Sequence, residues 1–575
     1  MDYTATNRAV VDEPDYRINR DVDSLRYKNK VIWDNLRNFG RNTNFNQLVA
    51  ANYKVPFEKF PLTDWLGAET RYAVTYIWTA GSTALNQDAP FRLGNTAENN
   101  TEFSVNGRFD MVKLYNKVKF LKDVNSPTQP QGRPPVPAPG DTAVKKQSEM
   151  KFAKGLARFL MMTRSVNFTY LQNQGTMMPG YLPRTKMLGF DDGFDAPGLP
   201  FILGRQYDLD ELYNRAFTNG WYTDSSQYLN TPFSGIKTET LTARANMEPF
   251  RNFNLQLDAR RNMSEIQEVF YRKQFDDFGN IGTVNERQNP INTGSFSTSF
   301  FALGTMFEST AGGTSAAFDN FIRNRYEIRE RLTNANAAAG DSGYTLNSQD
   351  VLLQSFLYAY QGRDASGFQA KGGNPFKRLP IPNWRVDYNG LSQLAFFKRW
   401  FSQVNLTHSY NSTYNVTSFT TSLAYENSPG DYPTRTNEFG QLIPYYIVNQ
   451  LTVQERLELL GVNFRTNTNL TGRIGYRIER NLSLNLTNAQ VTETNVKDYT
   501  FGFGYSTTNF RIPFRIGGER RTLENELTMR MDMSVRDNQT VQRAIAQDDQ
   551  ATRSARTRSP TVPARYSCGQ PWIMS

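Results

Sequence analysis

Apolar and polar residues alternate with a period of two in several long segments of this chain. In residues 523–536 the odd positions are apolar except for Asn525, and all even positions are polar or charged. Successive side chains of a β-strand point to opposite faces, so this segment has one apolar face and one charged face. It is also longer than the roughly five or six residues of an ordinary soluble strand.

The same alternation recurs in residues 72–78, 404–410, 470–478 and 482–487. Residues 241–247 and 253–257 alternate on either side of a turn near residues 249–252, which predicts a β-hairpin. Together these segments predict an all-β fold of long antiparallel strands.

Two architectures can carry such strands, a soluble β-sandwich and a membrane β-barrel. The mean hydropathy of −0.60 and the lack of a long apolar run exclude a helical membrane protein. A barrel remains possible, because its strands place apolar residues only at alternate positions. Strand length, the charged strand faces and aromatic residues near predicted strand ends favour the barrel; these rings are Trp78, Tyr170, Trp384, Tyr388 and Tyr505.

The cost of burying charge fixes which face of such a strand would meet water. An Arg or Lys on the lipid face of a barrel costs roughly 2–4 kcal/mol at the bilayer midplane. The charged face is therefore expected to line the lumen. The lumen-facing candidates are Arg244, Glu248, Asp258, Arg260, Arg473, Arg477, Glu526, Arg530, Asp532 and Arg536.

Two segments depart from the β pattern. Apolar residues at near-helical spacing in residues 316–332 predict an amphipathic helix in a long loop. Residues 452–455 have the spacing of a capping box, and Gly461 follows a run of leucines, which predicts a short helix over residues 452–461.

These signals divide the chain into four regions. Residues 1–130 are predicted to be barrel strands and loops, and residues 131–150 a Pro-rich loop. Residues 151–548 are predicted to be further strands, with the helical insert near residues 316–332. Residues 549–575 lack alternation and are expected to be a disordered tail.

The composition offers little material for catalysis. The chain has one His, His408, and one Cys, Cys568, so we predict no catalytic, cofactor or metal site and a protein that is not an enzyme. His408 shares its strand face with Val404 and Tyr410, which favours packing over metal binding. The net charge of +10 is scattered, so no nucleic-acid partner is predicted.

Several ordered strings resemble the Sov/SprA family, the outer-membrane translocons of the Bacteroidetes type 9 secretion system. The most specific stretch is residues 510–519, continuing through residues 527–532 and 535–538. Residues 3–8, 11–14, 53–56, 93–96 and 114–117 also resemble this family, so the resemblance covers residues 1–545 and corresponds to the C-terminal part of its members.

The resemblance implies a very large outer-membrane β-barrel that passes folded proteins to the cell surface and is needed for gliding motility. It also implies three kinds of partner: secreted cargo proteins, a plug protein and a smaller PorV-like barrel. A smaller outer-membrane porin or transporter, and a secreted β-sandwich adhesin, are the alternative interpretations.

The start and end of the sequence predict an incomplete barrel. Residues 1–4 have neither the basic nor the apolar part of a signal peptide, which an outer-membrane protein needs. The tail after residue 548 departs from the resemblance, as a frameshift or truncation would cause. We therefore expect a barrel segment that cannot close by itself.

Overall fold

The structure is a computed structural model. It describes residues 1–11, 25–37, 39–82, 92–125, 159, 161–275, 278–308, 315–336, 343–370, 376, 379–422, 432–438, 440–507 and 526–545. The Pro-rich segment 131–150 and the predicted tail 549–575 lie outside these residues.

Long strands dominate the described residues. The strands are β1 (Asp2–Val10), β2 (Arg41–Val55), β3 (Leu66–Thr79), β4 (Asn95–Asp110), β5 (Thr163–Tyr181), β6 (Phe233–Met247), β7 (Phe253–Phe275), β8 (Ile281–Ser299), β9 (Asn383–Tyr388), β10 (Phe401–Thr421), β11 (Tyr446–Val448), β12 (Gln450–Thr466), β13 (Leu470–Asn485), β14 (Gln490–Thr507) and β15 (Leu527–Ala544).

Helices lie in the connections between strands. They are α1 (Leu25–Arg37), α2 (Met111–Tyr115), α3 (Lys119–Asn125), α4 (Leu199–Ile202), α5 (Leu209–Thr218), α6 (Ala316–Ala335), α7 (Gln349–Tyr360) and α8 (Ala395–Trp400). Short 3-10 turns occupy Phe57–Lys59, Ser226–Tyr228, Leu303–Thr305, Ala365–Gly367 and Gly390–Gln393.

All the strands belong to one antiparallel sheet, in which neighbours in sequence are mostly neighbours in space. The order is β1-β2-β3-β4-β5-β6-β7-β8-β10-β12-β13-β14-β15, with β11 beside β10 and β9 between β7 and β10. Among the described strands, β1 pairs only with β2 and β15 pairs only with β14, so these strands form an open sheet rather than a closed ring. The predicted all-β, antiparallel architecture is confirmed.

The position between β7 and β10 is filled by two separate strands. β8 pairs with β7 from Arg261 onward, whereas β9 pairs with residues 253–258 of the same strand. The chain therefore leaves the sheet after Ser299 and re-enters it at Asn383. Side chains bridge the break, because Ser299 Oγ accepts from Arg260 N at 3.1 Å and Asn383 Oδ1 accepts from Ser412 N at 2.8 Å.

We call residues 300–382 the helical insertion. The described helices α6 and α7 of this segment pack on the sheet. Phe321, Phe356 and Tyr360 are fully buried there against Tyr414, Val453 and Leu482 of the sheet, within a core that also includes Leu451 and Leu484. A second core joins α4 and α5 to β2–β7 around Tyr76, Trp78 and Phe233. Both helical units cover the same face of the sheet, near one end of its strands.

The two helix predictions have opposite outcomes. The helix over residues 316–332 is confirmed as α6, with Ser315 as its N-cap. The helix over residues 452–461 is wrong, because these residues belong to β12. A β-bulge between Glu458 and Leu460 puts Leu457 and Leu460 on one face of that strand, and this spacing of three residues imitates a helix.

Candidate functional site: a wall with one apolar and one charged face

The register of the sheet assigns every strand residue to one of two faces, because directly opposite residues point the same way. Leu482 lies opposite Val453 and Glu493, whereas Arg477 lies opposite Glu458 and Asp498. Following such pairs from β1 to β15 gives one face that is largely apolar and one that is rich in charge. We call them the apolar face and the polar face.

Ion pairs run across the polar face. Arg71 contacts Glu102 at 3.1 Å, and Arg244 contacts Asp258 at 2.5 Å. Asp498 is almost buried between two cations, 3.3 Å from Arg477 and 3.6 Å from Arg536. Such a face needs water, since an exposed charge in hydrocarbon is costly.

The structure brings the predicted lumen-facing residues together on this polar face, with two exceptions. The strand residues on it are Arg244, Asp258, Arg260, Arg473, Arg477, Arg530, Asp532 and Arg536. Glu248 follows β6 and binds Arg164 in the turn region at 3.1 Å. Glu526 precedes β15 and accepts a hydrogen bond from Ser506.

Sequence reasoning missed several members of the polar face. Arg71, Glu102, Arg385, Asp387, Glu479 and Asp498 complete its ion pairs. Each of these charged residues follows the two-residue alternation of its strand. The alternation is weak there, because Thr and Gly are mixed with the apolar residues of the other face.

The connections β2–β3, β6–β7 and β12–β13 lie at one end of the sheet, which we call the turn end of the strands. In the strand segments next to this end, the apolar face carries no Asp, Glu, Lys or Arg. We call this zone the apolar belt. Its members are the apolar-face residues within 49–55 (β2), 66–74 (β3), 103–109 (β4), 166–170 (β5), 241–247 (β6), 253–259 (β7), 384–388 (β9), 404–406 (β10), 457–464 (β12), 470–478 (β13), 499–505 (β14) and 527–535 (β15).

Much of the belt is uncovered. Met531, at the centre of the β15 part, is 63% exposed, and Tyr499 and Phe503 of the neighbouring strand are 40% and 38% exposed. Contiguous exposed apolar surface of this extent marks a surface that meets a partner or a membrane.

Charges return to the apolar face just beyond the belt, away from the turns. Lys237, Glu239 and Arg261 form a cluster there, with Lys237 and Glu239 2.9 Å apart. On β14 and β15, Lys497 lies opposite Asp537. The belt is therefore bounded on one side by turns and on the other by charge.

Rings cluster along the turn ends of the belt. Trp65 contacts Phe109, and Phe109 contacts Phe168, with ring centroids 6.1 Å and 5.9 Å apart. Further along the sheet, Phe250 packs with Phe253 and Tyr388, and Phe401 packs with Phe397 and Phe464. We call these nine residues, together with Tyr505 near the end of β14, the aromatic girdle, because they follow successive strand ends as interfacial rings do in barrels. The girdle contains Trp65, Phe109, Phe168, Phe250, Phe253, Tyr388, Phe397, Phe401, Phe464 and Tyr505.

Of the rings expected near strand ends, Tyr388 and Tyr505 lie at the turn ends of their strands. Trp78 lies instead at the opposite end of β3, where it is buried in the core beneath α4 and α5. A ring near a strand end is therefore not enough to identify a girdle residue.

The strand ends are stepped across the sheet. A path of directly opposite residues crosses the sheet from Leu66, the first residue of β3, to Ile478 of β13. Strand β13 begins at Leu470, so the path meets it eight residues after its start. The route passes through Phe109, Val166, Ala245, Leu257, Trp384, Tyr410 and Leu457, which is eight steps between strands. One residue per step, ~3.3 Å along for ~4.8 Å across, corresponds to strands tilted by about 35°. Barrel strands are tilted by about 35–45°.

Two buried ion pairs hold the helical insertion on the apolar face above the belt. Arg480 donates to Glu455 at 2.6 Å, and it also donates to the carbonyl oxygens of Ala302 and Thr305 at 3.1 Å and 2.7 Å. Arg543 lies 2.9 Å from Glu493, beside Phe318 of α6. These charges could not face lipid, which again places the upper limit of the belt below them.

The helical insertion also contains an unusual carboxyl group. Burial raises the pKa of Asp350, in the first turn of α7, to about 7. Among the described residues, no group of three or more His, Cys, Asp or Glu side chains is placed to hold a metal ion. None of the described helices is long and apolar enough to cross a membrane.

Comparison with known proteins gives distant structural matches. No family model and no curated protein matches the sequence. The FrpB iron transporter from Neisseria meningitidis (F5-1 variant, apoprotein form) is 10% identical, with a TM-score of 0.17 over 87% of this chain and 59% of that chain. A second FrpB structure gives 9% identity and a TM-score of 0.16. The outer membrane transporter YddB from Escherichia coli gives 6% identity and a TM-score of 0.15 over 87% of this chain and 69% of that chain. The chain thus spans 59% of the FrpB structures.

Proposed function

We propose that this chain forms part of the wall of an outer-membrane β-barrel that conducts proteins. The observation that carries the proposal is the belt. From β2 to β15, each strand that reaches the turn-end zone has a charge-free apolar side there, backed by a polar face with ion pairs. A soluble sandwich would cover its apolar faces with a second sheet, whereas a bilayer needs them exposed.

The proposed conduit acts without chemistry. Its polar face lines a water-filled lumen, where alternating Arg and carboxylate side chains keep the surface hydrated and close to electrically balanced. The apolar belt meets lipid, and the helical insertion lies outside the lumen, beyond the hydrocarbon. Transport specificity would then come from partners that open or occupy the lumen.

For the identity of the conduit, we propose the type 9 secretion translocon of the Sov/SprA family. The ordered strings in residues 510–519 and 527–538 support this, and the long strands with stepped ends are compatible with a wide barrel. In this proposal the cargo is folded secreted protein, including adhesins for gliding, and the partners are a plug protein and a PorV-like barrel.

Cysteine scanning of β15 tests the membrane part of the proposal. In a Cys568→Ser background, single cysteines replace Thr528, Met529, Arg530, Met531, Asp532 and Met533, and each carries an environment-sensitive fluorophore in lipid vesicles. Brominated lipid is expected to quench the odd positions, and aqueous iodide the even positions. Quenching without a period of two would contradict a membrane wall.

Disruption of the corresponding coding region in the source bacterium tests the translocon part. Loss of many secreted proteins together with loss of gliding is expected, and affinity capture of the intact protein from outer membranes should recover a small barrel partner. Unchanged secretion with defective uptake of one nutrient would favour the smaller transporter instead.

A further inference from the structure

Beyond the aromatic girdle, the turn end of the wall carries exposed cations. Lys398 and Arg399 of α8 are exposed between Phe396 and Trp400, which are 74% and 59% exposed. The Arg399 guanidinium lies 5.7 Å from the Trp400 ring centre. Rings and cations therefore project together from the same short helix.

Helix α8 is fixed to the wall rather than free to swing away. Asn467, in the turn between β12 and β13, donates to the carbonyl oxygens of Lys398 and Arg399 at 3.4 Å and 3.1 Å. Its backbone N–H also donates to the Trp400 carbonyl at 3.1 Å. The next residue, Phe401, belongs to the girdle, so the two cations stand at a fixed level just outside it.

A second group of cations follows the ends of β2 and β4. Lys59, Lys113 and Lys119 are exposed, beside the exposed rings of Phe60 and Phe120.

We call the surface just outside the aromatic girdle the rim. The acidic residues described in this part of the rim are matched by other cations. Glu58 pairs with Lys54 at 3.0 Å, and Glu248 pairs with Arg164 at 3.1 Å. Asp64 pairs with Lys117, and Asp110 lies 3.9 Å from Arg108. The described rim thus has an excess of positive charge.

We propose that this rim binds the phosphate headgroups of anionic phospholipid, with Lys398 and Arg399 as the principal contacts. The inference rests on the proposed function, since it needs the belt to sit in a bilayer. Anionic phospholipid fits this surface because its charge complements the rim and its acyl chains continue onto the adjoining apolar belt. Arg and Lys are the side chains that best match phosphate oxygens, and the rings suit the interface between headgroups and hydrocarbon.

Native mass spectrometry of the full chain, released from detergent with equal amounts of phosphatidylglycerol and phosphatidylcholine, tests the proposal. The wild type is expected to retain phosphatidylglycerol preferentially. Lys398→Gln/Arg399→Gln should reduce that preference by about five-fold for each charge removed. The charge-preserving variant Lys398→Arg/Arg399→Lys should keep it.

The matched control removes two cations from the other face. Arg260→Gln/Arg473→Gln changes the net charge equally, but both residues stand on the polar face, so lipid preference should be unchanged. Equal losses in both double variants, or equal retention of the two lipids by the wild type, would overturn the proposal. If the proposed function is wrong and the belt does not meet a bilayer, neither phospholipid should stay bound. If only the headgroup proposal is wrong, both phospholipids should stay bound without preference.

Discussion

At the scale of single residues, the position of Met531 gives the sharpest test of the belt. Met531 lies at the centre of the β15 belt segment, so Met531→Arg should lower the free energy of unfolding in lipid vesicles by about 2–4 kcal/mol. Ser534→Arg, on the polar face of the same strand, is the control and should change it by less than about 0.5 kcal/mol. Denaturant titration of the complete barrel protein that contains this wall, inserted in vesicles, measures both values, and equal losses would mean that the faces are misassigned.

The buried pair between Glu455 and Arg480 should matter far more than any surface pair. Glu455→Gln leaves the Arg480 charge buried beneath the helical insertion, and the expected cost is about 3–5 kcal/mol. Hydrogen exchange of α6 and α7 should rise accordingly. Arg456→Gln removes an exposed pair from the neighbouring position of β12 and should change exchange little. Unchanged protection in Glu455→Gln would show that the pair does not hold the insertion.

Asp350 should make the helical insertion sensitive to pH. Its pKa is about 7 in the folded protein and about 3.9 in an unfolded chain, so the folded form holds a proton that the unfolded form releases. The stability from this group is therefore complete below pH ~4 and is lost as the pH rises through ~7.

Hydrogen exchange of residues 343–360, corrected for intrinsic rates, checks this effect. Protection should fall between pH 5 and pH 8 in the wild type and should stay level in Asp350→Asn. Asp319→Asn, in the first turn of α6, is the control that should retain the wild-type pH dependence. A pH response that survives in Asp350→Asn would rule out this carboxyl as its source.

Between neighbouring strands, an aromatic ring can occupy the space beside a glycine that a larger side chain would fill. A Cβ atom on Gly472 of β13 would collide with the ring of Phe464 on β12. Gly472→Ala should therefore cost about 1–3 kcal/mol, and Phe464→Leu in the same chain should recover part of it. Gly67→Ala is the control, since its Cβ would meet the nearest atom at an ordinary 3.7 Å. Denaturant titration reports both, and equal costs would contradict a steric origin.

The sequence predicts regular strands well and irregular ones poorly. Alternation located the β6–β7 hairpin and the strands β13 and β15, because their faces differ in polarity at every step. It failed in β12, where a bulge converts the spacing of two into a spacing of three. Bulges depend on the partner strand, so a single strand's pattern cannot reveal them.

Helices, like strands, could be predicted only where their two faces differ in polarity. Helix α6 is amphipathic and was found, whereas α7 is buried on nearly all sides and shows no period. Helix α5 was missed although it has usable signals: Asp208 caps its first turn and Gly220 follows its end in the left-handed region.

At the scale of the whole molecule, the belt predicts a preferred bilayer. Residues 527–535 span ~27 Å along the strand, and a tilt of about 35° reduces this to a height of about 22 Å. The folding yield of the complete barrel protein that contains this wall should therefore be highest in lipids with short acyl chains and should fall in lipids of 20 carbons or more, because mismatch carries a cost. Protease protection across a lipid series measures this yield. A maximum in the thickest bilayers would contradict the assigned belt.

The candidate site, too, could be predicted only in part, because some of its features depend on the sequence of one strand and others on pairing between distant strands. Residue types along a strand reveal which side of it is charged, so eight of the ten candidates reached one face of the sheet. The stepped strand ends and the partition of the apolar face into belt and covered zone were not predictable, because both depend on pairings between distant segments.

The break between β8 and β9 has a consequence for biogenesis. If the sheet forms by adding strands in the order of synthesis, β9 cannot pair with β7 until residues 300–382 have been synthesised and have left the sheet edge free. The first half of β7, residues 253–258, must therefore wait with an unpaired edge, because β9 can pair there only after the loop across the insertion has closed. A chaperone that shields residues 253–258 during this pause would protect the unpaired edge until β9 pairs with it.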